Sequence, residues 1–332
     1  MEFSLIICTY QRPEPLQLLL QSVIKQSLYP NEIIIVDGSL DVDTEKMLQK
    51  KIYKGLRYFR VDPADRGLTR QRNFGISKVA STSEIICFLD DDTILSEHYF
   101  KELLNTYQQF PNALAVGGYI TNETTWFESS GNSSLSHQYF CYDGFCRKES
   151  SRFKMRKKLG LDSNVPPGFS PNYSHGRSVS FLPPSGKIYP VEQIMGGVSS
   201  FKKSIFDQSQ FSTYFEGYGL YEDADFSIRL AKTGLLYLNT AAQLEHHHAP
   251  DGRPNQYQYG KMVVRNGWYV WRVKNLNPNI KDWFKWHAIT ILLTAIRATN
   301  ILTTSEKKKA FTETIGRLSG WVSLIFDKPG RS

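Results

Sequence analysis

Ile85-Ile86-Cys87-Phe88-Leu89-Asp90-Asp91-Asp92-Thr93 decides how the rest of the chain is read. Five apolar residues give way at once to three carboxylates. A short apolar run closed by acids is the pattern of a buried strand whose C-terminal end delivers acid groups to the edge of a sheet. Open α/β sheets bind ligands outside the carboxyl ends of their strands, which puts these acids where chemistry is usually done. Three adjacent carboxylates repel one another unless a cation or solvent relieves them, and their oxygens suit Mg²⁺ or Mn²⁺. The plain alternative for an isolated Asp triplet is a solvated turn or a helix N-cap, so the surrounding chain has to choose.

Upstream, the same pattern recurs. Residues 3–8 read as a first strand, followed by the polar turn Thr9-Tyr10-Gln11-Arg12-Pro13. Pro13 and Pro15 suit a helix start, and Leu16, Leu19, Leu20, Val23 and Ile24 recur at helical spacing. Glu32-Ile33-Ile34-Ile35-Val36-Asp37 is a second strand ending in an acid. A polar helix over 43–51, a short strand over 56–61 and a helix opening at Gly67 lead to the triplet; a helix over 97–109 and a strand over 113–119 follow it. Alternating strands and helices with apolar central strands predict a largely parallel sheet covered on both faces.

From 121 to 190 the periodicity fails in a stretch rich in Ser, Gly, Pro and Asn. Inserts of this kind are functional lids or disordered segments. Its basic run, Arg147-Lys148 with 152–158, reads as solvated surface or as a grip for phosphate or lipid headgroups. Order returns at Val191, and a helix is expected from Glu222 to a stop at Gly234. The helix dipole accounts for one acid at its start, but not for Glu222, Asp223 and Asp225 together. Residues 235–239 and 241–248 read as strand, ending in Glu245-His246-His247-His248, and the chain from 255 onward reads as helical.

The 332 residues, 41% hydrophobic and 22% charged, suit a large globular domain with an appended segment. A net charge of +8 points to anionic partners. Four cysteines make no disulfide framework: Cys8 and Cys87 sit in strand-like runs, and Cys141 and Cys146 lack the second pair that zinc needs. Met1 runs straight into the first strand, and the longest apolar run, 288–296, is too short to span a bilayer. A cytoplasmic protein is expected, possible peripheral contact with the cytoplasmic face of the membrane included. The sequons at Asn122, Asn132 and Asn172 are then accidental.

The polar strand ends together offer an acid pair for a metal, arginines for phosphates, a separate acid and a histidine. Asp90 and Asp92, one residue apart, can face one cavity, where a hard divalent ion would bridge diphosphate oxygens. His246 and His248 share a strand face and His247 points the other way, so either of the first two can add an imidazole ligand. Glu222 or Asp223 can act as general base.

Five features in order resemble a family 2 inverting glycosyltransferase of the GT-A fold. They are Thr9-Tyr10-Gln11-Arg12-Pro13; Ile35-Val36-Asp37-Gly38-Ser39; Gly67 with Arg72-Asn73-Phe74-Gly75; Phe88-Leu89-Asp90-Asp91-Asp92; and Glu222-Asp223-Ala224-Asp225-Phe226 with Arg229. The resemblance implies a Rossmann-like, mostly parallel sheet flanked by helices in a domain over 1–254, with 121–190 as an insert near the acceptor and 255–332 as a helical extension. It implies that Asp37 contacts the donor's base, that Thr9, Arg12 and Arg72 hold the nucleotide, and that Asp90, Asp91 and Asp92 form the metal-binding acid motif. Within that motif Asp92 is the direct ligand of Mn²⁺ or Mg²⁺, Asp90 faces the donor and Asp91 has the weakest claim. His246 matches a late metal ligand, Asp223 the base, Glu222 an acceptor-positioning acid, and Gly196 and Gly197 the floor of the acceptor cavity. Two departures stand out: Gly38 follows Asp37 where the family more often has a further acid, and the 121–190 stretch carries no motif of the family.

The implied reaction moves a sugar from a nucleoside-diphosphate sugar, UDP first and dTDP or GDP next, to a hydroxyl of a glycan or lipid-linked glycan, as in cell-surface polysaccharide synthesis. A non-catalytic sugar-nucleotide-binding protein is the alternative, with a basic nucleic-acid-binding protein ranked behind it. A nucleic-acid partner is not expected, since no such module is present and acids at strand ends repel phosphate without metal. Trp283, Trp286, Ile289, Leu293 and Ile296 recur at helical spacing among Lys281, Lys285, Arg297 and Lys307-Lys308-Lys309. That stripe suits either an anionic membrane surface or packing back onto the catalytic domain.

Overall fold

The computed structural model describes residues 1–129, 138–215, 217–248 and 255–330. The sequon at Asn132 and the end of the expected 1–254 domain lie outside them. In chain order the elements are β1 (Phe3–Thr9), α1 (Pro13–Ile24), β2 (Glu32–Asp37), α2 (Asp43–Gln49), β3 (Leu56–Arg60), α3 (Leu68–Ser77) and β4 (Ile85–Asp90). Then come β5 (Thr93–Leu95), α4 (Tyr99–Gln109), β6 (Ala113–Ile120), β7 (Phe127–Glu128), β8 (Tyr139–Tyr142), β9 (Phe145–Lys148) and α5 (Ser151–Lys158). The last seven are β10 (Ile188–Val191), β11 (Val198–Lys202), α6 (Glu222–Ala231), β12 (Leu235–His246), α7 (Gln256–Lys274), α8 (Ile280–Thr303) and α9 (Lys307–Phe326).

They form two compact units, one of Met1–Thr125 with Leu182–Gly252 and one of Trp126–Phe181 with Arg253–Ser332. The aperiodic stretch is thus divided, with residues 126–181 belonging to the unit of the C-terminal helices.

The first unit is a sheet in the order β10-β12-β6-β11-β4-β1-β2-β3, with β5 on β12. Strands β4, β1, β2 and β3 pair in parallel, as the apolar runs anticipated. Strand β11 lies antiparallel between β4 and β6, and β10 and β5 run antiparallel to β12, so most strands still share one direction. Helices cover both faces because alternate side chains of the buried strands go to opposite sides. On one face Leu5, Ile7, Ile33, Ile35 and Leu89 pack with Leu16, Leu19 and Leu20 of α1 and Leu103 of α4. Each such side chain, fully buried, contributes about 1.5–3 kcal/mol. On the other face Phe88 meets Phe211 edge-on at a centroid distance of 5.5 Å, and Phe211 stacks on Phe226 at 4.4 Å. The two strands expected over 235–248 are one, β12, which ends at His246.

In the second unit β8 and β9 form a hairpin whose turn residues, Asp143 and Gly144, have φ of 46° and 81°. Left-handed dihedrals at both positions are what a two-residue turn between twisted strands requires. The hairpin brings Cys141 opposite Cys146, and they are joined as a disulfide. Cross-strand register, which spacing alone did not reveal, corrects the reading that the four cysteines make no disulfide framework: one pair is bonded. Of the basic run, Arg156 is fully buried, donating to Leu161 O and His175 O, so that part is structural. Arg177 is also buried, between Glu149 at 2.7 Å and Asp162 at 3.0 Å and 4.3 Å from the Phe153 ring. Trp271 Nε1 donates to Asn172 O, tying this segment to α7. Helices α7 and α9 cross closely at Gly316, where a Cβ would lie 2.1 Å from Tyr257 O. Trp268, Trp271 and Trp286 fill the centre of the three helices. Of the stripe read along α8, Trp286 and Ile289 are buried, Trp286 against Trp268 and Trp271 of α7 in the same unit. No helix among the described residues is long and apolar enough to cross a membrane.

Candidate active site

The carboxyl ends of β1, β2 and β4 meet in the first unit, and Gln71 of α3 fastens two of them. Its buried amide donates to Thr9 O and Val36 O. Asp37 is fully buried at the end of β2; its carboxylate accepts the Ser39 N–H at 2.8 Å and the Tyr58 O–H at 2.8 Å. The carboxylate that the resemblance assigns to a donor base therefore shapes the loop after β2 in this structure.

Leaving β4, the triplet splits three ways. Asp91 turns inward, accepting from Thr9 Oγ1 at 2.7 Å and pairing with Arg12 at 2.9 Å. Burial pushes its carboxyl up to about 7, against the opposing pull of Arg12 and Thr9. Asp92 pairs with the other nitrogen of Arg12 at 2.5 Å and with His246 Nε2 at 3.0 Å. Burial works to raise its pKa, but His246 and Arg12 overcome that and hold it well below the usual carboxylate range. Asp90 is the open member, its side chain 38% exposed, with Arg72 at 3.6 Å.

His246 ends β12 beside β5, because Thr93 and His246 are partners in that ladder. Burial disfavours its charge, yet hydrogen bonds to Asp92 and Glu123 outweigh this and lift its pKa to about 10. Glu123, just past β6, also holds His248 at 3.0 Å, and Asn122 clamps the His246 backbone in both directions, N–H to Oδ1 and Nδ2–H to O. Asp92, His246 and His248 each offer a ligand atom, all within 4.8 Å of one another. His247 turns away to Glu245. A carboxylate with two imidazoles is a donor set for Mn²⁺ more than for Mg²⁺, which prefers oxygen throughout. The residues present fit such an ion, and its arrival would replace the proton on His246.

A second group stands beside the first. Buried Arg72 of α3 pairs with Glu222 Oε1 through NH1 and approaches Asp90 through NH2. It lies 5.7 Å from the Phe88 ring and 5.3 Å from that of Phe211, so the aromatic layer under the sheet fixes its plane. Burial lifts Glu222 to about 8 even with Arg72 beside it, and its Oε2 is buried without a hydrogen-bond partner. Asp223 is raised by burial too, while the N–H groups of Ala224 and Gly196 pull the other way. Both acids start α6, entered through Tyr221 at φ 71°, a left-handed conformation that is strained for a tyrosine. Gly196 and Gly197 press against this group: a Cβ on Gly197 would lie 2.0 Å from the Asp90 carboxylate, and one on Gly196 2.4 Å from Glu222 Oε1.

The structure thus brings Arg12, Asp91, Asp92 and His246 into one cluster and Arg72, Asp90, Glu222, Asp223, Gly196 and Gly197 into an adjoining one. Thr9 supports the first, and Asp37 stands apart inside the β2 end. Sequence reasoning missed Gln71, Tyr58 and Glu123. Glu123 was findable, since it follows an apolar strand at the same sheet edge, as Asp90 does.

The family model described as Glycosyl transferase family 2 matches residues 4–172, just over half of the chain. A glucosyl-dolichyl phosphate glucuronosyltransferase of Haloferax volcanii is 27% identical over 134 residues, 36% of this chain and 38% of that protein. Protein CgeD of Bacillus subtilis is 27% identical over 141 residues, 41% of this chain and 32% of that one. The crystal structure of S. aureus TarS aligns at 14% identity with a TM-score of 0.47, over 94% of this chain and 47% of TarS. This chain spans less than half the length of each of these proteins. From the extent of the family match, the chain belongs to glycosyl transferase family 2.

Proposed function

We propose that the protein transfers a glycosyl group from a nucleoside-diphosphate sugar, UDP first among them, to a hydroxyl of a glycan or lipid-linked acceptor, with inversion. The observation that carries this reading is the adjoining of two clusters: a cation-ready Asp92–His246–His248 group, and a carboxylate, Asp223, half-buried beside Asp90 and Arg72. Arg12 and Arg72 meet donor phosphates, and Asp90, the exposed acid, faces the sugar. Asp223 takes the proton of the acceptor hydroxyl as its oxygen attacks the anomeric carbon from the face opposite the leaving diphosphate. Its raised pKa improves it as a base, a role worth about 10²–10⁴ in rate. Glu222, held by Arg72, orients the acceptor. Asp92, His246 and His248 would hold a divalent ion, which would supply charge neutralisation for the departing diphosphate. The lipid-linked acceptor is favoured by the name of the Haloferax volcanii relative, and the donor class fits a cytoplasmic site of action.

Release of nucleoside diphosphate from UDP-, dTDP- and GDP-sugars with Mn²⁺, across an acceptor panel, tests the reading. The expected result is metal-dependent release that Asp223→Asn removes while thermal-shift binding of the donor persists. Donor binding with no turnover on any acceptor would make the protein a sugar-nucleotide binder instead.

A further inference from the structure

Helices α8 and α9 carry two exposed stripes without a charged residue. On α8 these are Phe284, Ala288, Ile291, Ala295 and Leu302, interrupted only by Thr299, whose hydroxyl donates to its own helix at Ile296 O. On α9 they are Phe311, Ile315, Leu318, Val322 and Ile325, all between 41 and 67% exposed. Steps of three and four residues put each set along a single helix face. Both faces lie on the same side of the hairpin. On α9 the opposite side, Gly316, Gly320 and Leu324, packs against α7, where a Cβ on Gly320 would lie 2.9 Å from Lys261 O. On α8 the inward side is Trp286 and Ile289. The helices are joined laterally by Arg297–Glu313 at 2.7 Å and by Trp321 Nε1 donating to His287 at 2.9 Å. With a rise of about 1.5 Å per residue, the face is roughly 30 Å long.

Cations mark both ends of this face. Lys281 stands at the start of α8, and Lys307 and Lys308 at the start of the antiparallel α9; all three are exposed and without an ion pair among the described residues. Beside the latter two, a depression of about 450 Å³ is lined by Gln256, Ser305, Glu306 and Lys307 to Lys309. The acids of these helices are already engaged: Glu306 with Lys309, Glu313 with Arg297 and Arg317, and Asp282 with the side chain of Asn279. A second copy of the chain would bring more lysine-ended apolar surface and no free acid to meet it. An anionic lipid surface supplies both apolar chains for the stripes and phosphates for the lysines.

We propose that the outer face of the α8–α9 hairpin is a membrane-docking surface, lying in the interface of an anionic bilayer with its phenylalanines and aliphatic side chains among the acyl chains. The proposal stands apart from the transferase reading, because vesicle binding is measured without donor or acceptor. The test is co-sedimentation of the full chain with sucrose-loaded vesicles of phosphatidylcholine alone or with one quarter phosphatidylglycerol. The expected result is binding to the anionic vesicles that falls with added salt. Ile315→Glu with Leu318→Glu, at exposed positions, should lower the bound fraction at least about tenfold with unchanged circular dichroism. Lys307→Gln with Lys308→Gln should weaken binding roughly 25-fold, at about fivefold for each lysine near the surface. Absence of binding to anionic vesicles overturns the proposal, as does binding that the Glu substitutions leave intact. A dimer in sedimentation equilibrium that those same substitutions dissociate overturns it too, and assigns the face to a second copy.

Discussion

Replacing Gly197 with alanine should damage the site far more than the fold. The new Cβ would lie 2.0 Å from the Cγ and Oδ2 of Asp90 and 2.3 Å from Oδ1. Carbon and oxygen do not approach that closely, so the carboxylate must retreat by about 1 Å or more. Asp90 is 38% exposed and free to rotate outward, so relief is inexpensive; we expect a stability loss near about 1 kcal/mol, the low end for overpacking. The retreat, however, takes Asp90 from Arg72 and from its place beside Asp223. A misplacement of about 1 Å in such a constellation lowers rates by about 10²-fold. Gly196→Ala is the contrasting case, because its Cβ would meet Glu222 Oε1 at 2.4 Å and Arg72 NH1 at 2.6 Å, both buried. Neither can swing into solvent, so that variant should lose about 2–3 kcal/mol as well as activity. Thermal melts and nucleoside diphosphate release, measured on both variants, separate the two effects. A Gly197→Ala enzyme within threefold of wild-type turnover would refute the claim that Asp90 must stay where the glycine lets it stand.

Three further outcomes follow from buried polar groups. Glu222 titrates at about 8 in the folded chain against an ordinary 4.5, so the native state holds the extra proton between those values; stability is full below 4.5 and declines as pH rises towards 8. Glu222→Gln should flatten that slope in melts taken from pH 5 to 8, whereas a large loss at all pH values would mean that the anion paired to Arg72 is the folded form. Arg177→Ala leaves Glu149 and Asp162 without their cation and should cost about 3–5 kcal/mol in denaturant unfolding; a loss under about 1 kcal/mol would contradict the buried pairing. Cys146→Ser opens a short loop and should cost about 2 kcal/mol by loop-closure entropy, with a comparable loss for wild type under reductant; an unchanged midpoint would show that the bond does not constrain the unfolded chain.

The parallel half of the sheet was legible because strands buried on both faces are written as unbroken apolar runs, and those runs stop where the chain turns into the site. Asp90 and Asp92 could be picked out from where such a run ends, Glu222 and Asp223 from the crowding of acids at a helix start, and Arg72 only from the resemblance to the family. The second unit was illegible for a matching reason. Its order rests on Arg156 and Arg177 buried among aromatic rings and carbonyls, contacts that carry no period along the chain. Gln71 escaped notice because its task, bridging the carbonyls of Thr9 and Val36, depends on which strands are neighbours. Helix α8 is apolar on most of its circumference, so the stripe with two tryptophans drew attention while the more exposed one passed unread. The cysteine pair required knowing that Asp143 and Gly144 form a turn with Cys141 facing Cys146 across it.

The placement of β11 between β4 and β6 bears on how the protein is made. When β6 leaves the ribosome, the edges of β4 and β6 have no neighbour to bond with, and the strand that joins them ends at Lys202. At about 5–20 residues per second, synthesis of the intervening 80 or so residues takes roughly 4–16 s. Throughout that interval the nascent chain presents two long apolar strand edges, the kind that pair with other chains. Yield in the cell should therefore depend on what shields those edges during translation, and slowing elongation between β6 and β11 should increase aggregation without altering the finished protein.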